Sequence, residues 1–362
     1  MGVNKMCIEI ENAELENKIK LGQFYTITNP FNIDVFYKWA DFFRKDLREF
    51  TEPFAGANNI VKMIQELGFN QPWDCYDIEP ASDEEINGYI VQKRDTIKNY
   101  PSQSSYSVNG GREIRVAITN PPYLAKNSAT RKGMGFPDTE YDDLYKVALD
   151  VMLQNEDYVA AIIPESFITS NLFHNRLYAV VSLTCKMFSD TECPVCLALF
   201  IPAELKSKLK LDNDFMIYRQ NIKLNNYKNI KDLLPNQKHH TIWRFNDKEG
   251  NVGIKCIDGT KEPSIEFVDG ATISSDKIKE SSRSLTRVSG LPDNVELSVF
   301  IAECNKILND FREKTSDVLL TSFKGLRKDN CYRRRLDFKT AKSIMDLALD
   351  NILQEDAANE HK

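Results

Sequence analysis

Long apolar runs are missing from this 362-residue chain. No stretch of about eighteen consecutive apolar residues occurs, which argues against a membrane-spanning helix. Residues 1–20 are polar and charged, unlike a secretory leader, so the expected location is the cytoplasm. Histidine is scarce: there are four, and the pair His239-His240 lies in a polar stretch with no acid pattern beside it. Eight cysteines spread over this length do not form a disulfide framework, and a reducing compartment is the simpler expectation. Cys193-Pro194-Val195-Cys196 has metal or redox spacing, yet no second Cys or His pair accompanies it. It runs into Leu197-Ala198-Leu199-Phe200-Ile201, which reads as a buried strand, so the expectation is no metal site. An excess of positive charge is missing too. The 47 Lys and Arg against 53 Asp and Glu leave a formal charge of −6, which weighs mildly against a nucleic-acid partner unless basic surface is local. No internal repeat is visible.

What is present begins with Asn120-Pro121-Pro122-Tyr123, directly after the apolar run Val116-Ala117-Ile118. An amino nitrogen conjugated to a ring or a carbonyl is a poor nucleophile because its lone pair is delocalised. The Asn120 side-chain oxygen and the Pro121 carbonyl can both accept hydrogen bonds from such an NH2, drawing the nitrogen toward tetrahedral geometry. Two prolines suit the task, since they fix φ and present no N–H to compete for the acceptors. Tyr123 offers a ring face against which a flat base can stack. The plain alternative is a strand-terminating turn.

Upstream, Thr51-Glu52-Pro53-Phe54-Ala55-Gly56-Ala57-Asn58-Asn59 precedes a helix-like stretch over residues 60–67 that stops at Gly68. A small-residue loop between strand and helix lets a ligand approach the backbone. Trp73-Asp74-Cys75-Tyr76-Asp77 then reads as a second strand ending in an acid, where a carboxylate can hold ribose hydroxyls. Each feature also occurs in α/β proteins that bind nothing.

Together these segments resemble the S-adenosylmethionine-dependent DNA adenine-N6 methyltransferases, over roughly residues 20–203. Gly22-Gln23-Phe24-Tyr25-Thr26 is similar to the family segment that caps the methionine end of the cofactor, which implicates Phe24, Tyr25 and Thr26. Glu52, Pro53, Ala55 and Gly56 match the cofactor loop, Asp77 the ribose-binding acid, and Asn120, Pro121, Pro122 and Tyr123 the catalytic motif. Gln92-Lys93-Arg94-Asp95-Thr96 is similar to the segment whose acid, here Asp95, contacts the adenine of the cofactor. Residues 158–167 resemble the strand and turn that follow the catalytic helix, and Asp143, Leu144 and Tyr145 are candidates to line the cleft. One departure is Asn58, where the family has a second glycine. Asparagine tolerates left-handed backbone angles, so the turn is expected to survive.

The resemblance implies an α/β fold: a Rossmann-like, mostly parallel methyltransferase sheet over residues 1–203 and a C-terminal mixed α+β domain over 204–362 for DNA target recognition. Strand-like runs at 116–119, 158–163 and 195–201 alternate with helix-like runs at 60–67 and 144–154, which suits βα units. Residues 31–48 also carry helical spacing, and residues 295–308 and 340–353 read as helices beyond a polar, Lys- and Asn-rich stretch from 204. Lys324, Arg327, Arg333, Arg334 and Arg335, interleaved with Phe323, Tyr332 and Phe338, form a basic segment that suits phosphates and guanine edges; its competitor is a solvated face. A second basic set, Lys206, Lys208, Lys210, Arg219, Lys223, Lys228 and Lys231, is diluted by acids and reads as ordinary surface. Implied partners are double-stranded DNA and, functionally, a cognate restriction endonuclease, with the protein acting as a monomer. Two alternatives remain: a protein-glutamine methyltransferase acting on release factors, which carries the same Asn-Pro-Pro-Tyr logic, and a non-catalytic DNA-binding protein on this scaffold.

Overall fold

A computed structural model describes residues 26, 28–101, 114–183, 187–188, 193–235 and 242–360. The chain divides into two compact units, Met1–Phe167 with Asn171–Lys223, and Ile168–Ser170 with Leu224–Lys362. Among the described residues no helix is long and apolar enough to cross a membrane.

In the first unit the elements run α1 (Asp34–Ala40), β1 (Phe50–Glu52), α2 (Asn59–Gln65), β2 (Trp73–Asp77), β3 (Val91–Lys93), β4 (Val116–Thr119), α3 (Lys126–Arg131), α4 (Leu144–Asn155), β5 (Tyr158–Pro164), β6 (Leu177–Ser182), β7 (Val195–Phe200), α5 (Ala203–Lys208) and β8 (Met216–Arg219). Along β9 (Ile222–Asn226) the chain passes into the second unit. The sheet order is β3-β2-β1-β4-β5-β7-β6-β8-β9. Pairings from β3 through β5 are parallel, and β7 runs antiparallel between β5 and β6. Central strands are buried along their whole length, Val116-Ala117-Ile118-Thr119 and Val195-Cys196-Leu197-Ala198-Leu199-Phe200 among them, as continuous apolar runs require when helices cover both faces. Phe36, Trp39 and Phe43 pack into this core, and the Trp39 indole donates to the Phe200 carbonyl at 2.8 Å, satisfying the one polar atom the ring buries.

Two expectations shift. The helix over residues 31–48 is only Asp34–Ala40, because the chain continues through turns that still bury Phe43 and Leu47. The compositional change at 204 falls inside the first unit: β8 pairs in parallel with β6, Ala179 beside Met216 and Ser182 beside Arg219. Strands near a sheet edge carry lysine and other polar residues, so polarity rises before the unit ends. Lys206, expected on the surface, is buried, its ammonium donating to the carbonyls of His174 and Leu177.

The second unit is mixed α+β. It contains α6 (Tyr227–Lys231), β10 (Arg244–Phe245), β11 (Val252–Lys255), β12 (Glu266–Asp269), β13 (Leu285–Ser289), α7 (Leu297–Thr315), β14 (Thr321–Leu326), β15 (Tyr332–Arg335) and α8 (Phe338–Glu360). An antiparallel sheet in the order β10-β13-β11-β12 shares a core with α7 and α8. Phe300, Cys304, Leu308 and Phe311 recur every three to four residues on the inner face of α7. Trp243 stacks on Phe300 at 5.6 Å, and its indole donates to Asp346 at 2.6 Å.

Candidate active site

Neighbouring parallel strands β1 and β4 connect in opposite directions across the sheet, β1 toward β2 and β4 toward β5, and such a switch point opens a crevice beyond the carboxyl ends of the strands. A cavity of about 400 Å³ lies there, within the size range of small-molecule sites. Its wall takes Phe54, Ala55, Gly56 and Ala57 from the loop after β1, Asp77 and Ile78 from the end of β2, Arg94 to Lys98 after β3, and Asn120, Pro122 and Leu124 after β4.

The loop after β1 reaches the cavity through two left-handed residues, Gly56 at φ 50° and Asn58 at φ 56°. Asn58 is fully buried, and its amide donates to the carbonyls of Ile86 (3.0 Å) and Tyr89 (3.3 Å). Asn58 therefore keeps a turn that glycine would also allow, and adds an anchor. Gly56 N–H donates to Asp77 Oδ2 at 2.9 Å, and Glu79 N–H to Asp77 Oδ1 at 2.8 Å. Burial raises the Asp77 carboxyl above the ordinary aspartate range, against the pull of those two N–H groups.

Glu52 does not line the cavity. It is buried behind it, where its Oε1 accepts from the Phe54 N–H (3.2 Å) and the Thr119 hydroxyl, joining the ends of β1 and β4. Its Oε2 is buried with no partner. Burial pushes this carboxyl up to about 8, opposed by the Thr119 and Phe54 hydrogen bonds and reinforced by the charge of Asp77.

Of the remaining expected residues, Thr26 and Asp95 line the cavity. Thr26 is held by the Asn59 amide at 3.1 Å, and Asp95 pairs with Lys98 at 3.0 Å. Pro53 lies behind the wall, its carbonyl accepting from Thr96 at 2.8 Å. Phe24 and Tyr25 lie outside the described residues, as do His239 and His240. Asn120 and Pro122 face the cavity, whereas Pro121 is buried and Tyr123 is not among the lining residues. The Tyr123 hydroxyl donates to the Ile162 carbonyl at 2.6 Å and lies 2.5 Å from the Asn120 side-chain amide. Its ring sits edge-on to Tyr145 and Phe188, so in this structure it supports the loop after β4 rather than offering a face to a ligand. Leu144 joins the wall, while the Asp143 carboxylate accepts from Leu124 N–H at 3.1 Å and Tyr145 is buried. Sequence reading missed Arg94, Ile97 and the run Met134-Gly135-Phe136-Pro137. Only the glycine and the proline of the last could have marked it, and those mark any loop.

The basic segment of the second unit is largely occupied with itself. Asp258 is fully buried. It accepts two hydrogen bonds from Arg312 at 3.0 Å each, one from Arg327 at 3.1 Å and one from the backbone N–H of Arg334 at 3.1 Å. Arg327 and Arg334 are themselves buried, the latter donating to Ser322 at 2.9 Å, and Arg333 donates to the Asp258 carbonyl at 2.7 Å. Burial pushes the Asp258 carboxyl up, but the guanidinium of Arg312 outweighs it and holds the group below the ordinary range. Lys324 is exposed, and Arg333 and Arg335 are partly so.

Parallel strands in the order 3-2-1-4-5, followed by an antiparallel β7 between β5 and β6, decide the fold. It is the class I methyltransferase fold. No family model matches the sequence, and no curated protein matches it. Among solved structures, the methyltransferase subunit of a type I restriction-modification system from Streptococcus thermophilus is similar at 12% identity and a TM-score of 0.35, over 58% of this chain and 52% of that one. The M protein of the type I restriction enzyme EcoKI is similar at 10% identity and a TM-score of 0.31, over 75% of this chain and 68% of that one. The chain thus spans about half the length of the first. Likenesses this distant carry no weight on activity or substrate.

Proposed function

We propose that the protein is an S-adenosylmethionine-dependent methyltransferase acting on adenine N6 in double-stranded DNA, working as a monomer in a restriction-modification or phage-protection setting. The observation that carries this is the convergence of Asn120, Asp77 and the Gly56 loop on one cavity at the strand switch point. The residues present suit that cofactor. Asp77 lines the cavity at the end of β2, where a carboxylate can accept from ribose hydroxyls, Gly56 leaves the backbone open to close approach, and Asp95 offers an acceptor for an exocyclic amine. When bound, the cofactor supplies a methyl group already activated on positively charged sulfur.

The chain then has to orient an amine and withdraw its hydrogen bonds from competing groups. Asn120, which faces the cavity, would accept from the NH2 and direct its lone pair, with the Tyr123 hydroxyl packed 2.5 Å from its side-chain oxygen. The second unit would read the target, with Lys324 exposed and Arg333 and Arg335 partly exposed; the Arg327 guanidinium is taken up by Asp258 and that of Arg334 by Ser322. Purified full-length protein incubated with methyl-labelled cofactor and mixed DNA should place label on adenine. Label found only on a protein glutamine or on RNA would overturn this reading.

A further inference from the structure

If the arginines around Asp258 serve the core of the second unit, cations that meet DNA at the cavity itself must come from elsewhere. Residues 120–137 carry Lys126, Arg131 and Lys132 and no acid; the acids resume at Asp138 and Glu140, and Asp142 is paired with Lys146 at 2.6 Å. All three cations are exposed, and Lys126 and Arg131 bound the short helix α3, six residues after Asn120 at its start. The helix is anchored from below. Ala129 is fully buried, Lys126 N–H donates to the Asp142 carbonyl at 2.8 Å, and Ala125 forms a bridge with Asp143. Side chains of Lys126 and Arg131 find only weak local contacts. Lys126 Nζ lies 3.4 Å from the Thr139 carbonyl and 5.8 Å from the Phe136 ring centre, and Arg131 reaches Asn127 and Ser128 of its own helix at 3.2 and 3.4 Å. The same segment then returns to the cavity, where Met134, Gly135, Phe136 and Pro137 form part of the wall.

From this continuity we infer that α3 is a phosphate-binding surface at the mouth of the cavity, and that Lys126 and Arg131 hold the DNA backbone beside the acceptor nucleotide. The inference rests on the proposed DNA reading. A base brought to Asn120 leaves the duplex still tied to its own strand, so its flanking phosphates have to lie at the cavity mouth. A segment that both walls the cavity and presents exposed cations is suited to meet them, and an arginine fork and a lysine ammonium are the side chains that do so.

The test is DNA binding and methyl transfer by the full chain and by a Lys126→Ala/Arg131→Ala variant, at 50 to 200 mM salt. Two lost duplex phosphate contacts should lower the slope of log affinity against log salt by about 2, so that affinity changes roughly tenfold less across that range. KM for DNA should rise, while kcat at saturating DNA and calorimetric affinity for S-adenosylmethionine stay at wild-type values. Arg131→Lys should keep the wild-type slope, since charge is retained. A variant with wild-type slope and KM would overturn the inference and leave the DNA reading standing. A wild-type protein that neither binds nor methylates DNA would overturn both.

Discussion

Asn120 and Asp77 stand at the ends of different strands and face one cavity, and the proposed reaction gives them different, measurable duties. In the proposed mechanism Asn120 acts on the amine, so Asn120→Ala should abolish methyl transfer and leave cofactor affinity nearly intact. Asp77→Ala should weaken cofactor binding by roughly 1–3 kcal/mol through lost hydrogen bonds. The loss includes the contact to Gly56 that shapes the loop. Titration calorimetry of both variants separates the two, and equal loss of cofactor affinity would contradict the assignment. Tyr123 shows where residue type misleads. An aromatic ring after two prolines suggests a stacking face, but the ring is edge-packed against Tyr145 and Phe188 and its hydroxyl is tied to Ile162. No local sequence signal reports which way a ring turns, because the choice depends on partners up to 65 residues away, the interval from Tyr123 to Phe188.

At the scale of elements, the junction of β1 and β4 depends on one buried carboxyl shared through Thr119. Glu52 titrates near 8 in the folded protein against an ordinary value of 4.5. A folded-state value above the unfolded one means that its contribution is fully present below about pH 4.5 and is lost as pH rises through about 8. Glu52→Gln, which imitates the protonated form, should remove that decline. Its stability should match wild type near pH 4.5 and exceed it at pH 8, on the order of a few kcal/mol, in denaturant titrations. Parallel stability curves would contradict the role given to Glu52. Strands were legible in the sequence because burial on both faces demands unbroken apolar runs, as at residues 116–119 and 195–201. The loop after β1 and the acid ending β2 were legible because turn chemistry is local. The position of β7 between β5 and β6 was not, since strand order depends on pairing between distant segments. Nor was the duty of Arg327, whose partner Asp258 lies 69 residues away and reads in sequence only as half of an Asp-Gly turn.

For the molecule as a whole, the two units rely on different devices. The first has an apolar sheet covered on both faces, while the second concentrates charge on Asp258, where Arg312 and Arg327 converge out of water. Removing one member of a buried ionic cluster leaves the others uncompensated. Asp258→Ala should therefore cost about 3–5 kcal/mol, visible as faster hydrogen exchange in α7, β14 and β15 with little change in β4 and β5. Unaltered exchange in those three elements would sink the idea. Because the Asp258 carboxyl is held low, its contribution is present above the ordinary aspartate range and fades only as pH falls through the lowered value. The sheet of the first unit also carries a consequence for how the chain is made. β6 pairs with β7 and β8, both of which lie later in the sequence, and β7 alone covers the outer edge of β5. A nascent chain that has emerged only as far as residues 183–194 thus displays β6 with no neighbour and β5 with one edge bare. That interval is the stage of synthesis at which a chaperone has most to shield and a slow codon most to spoil.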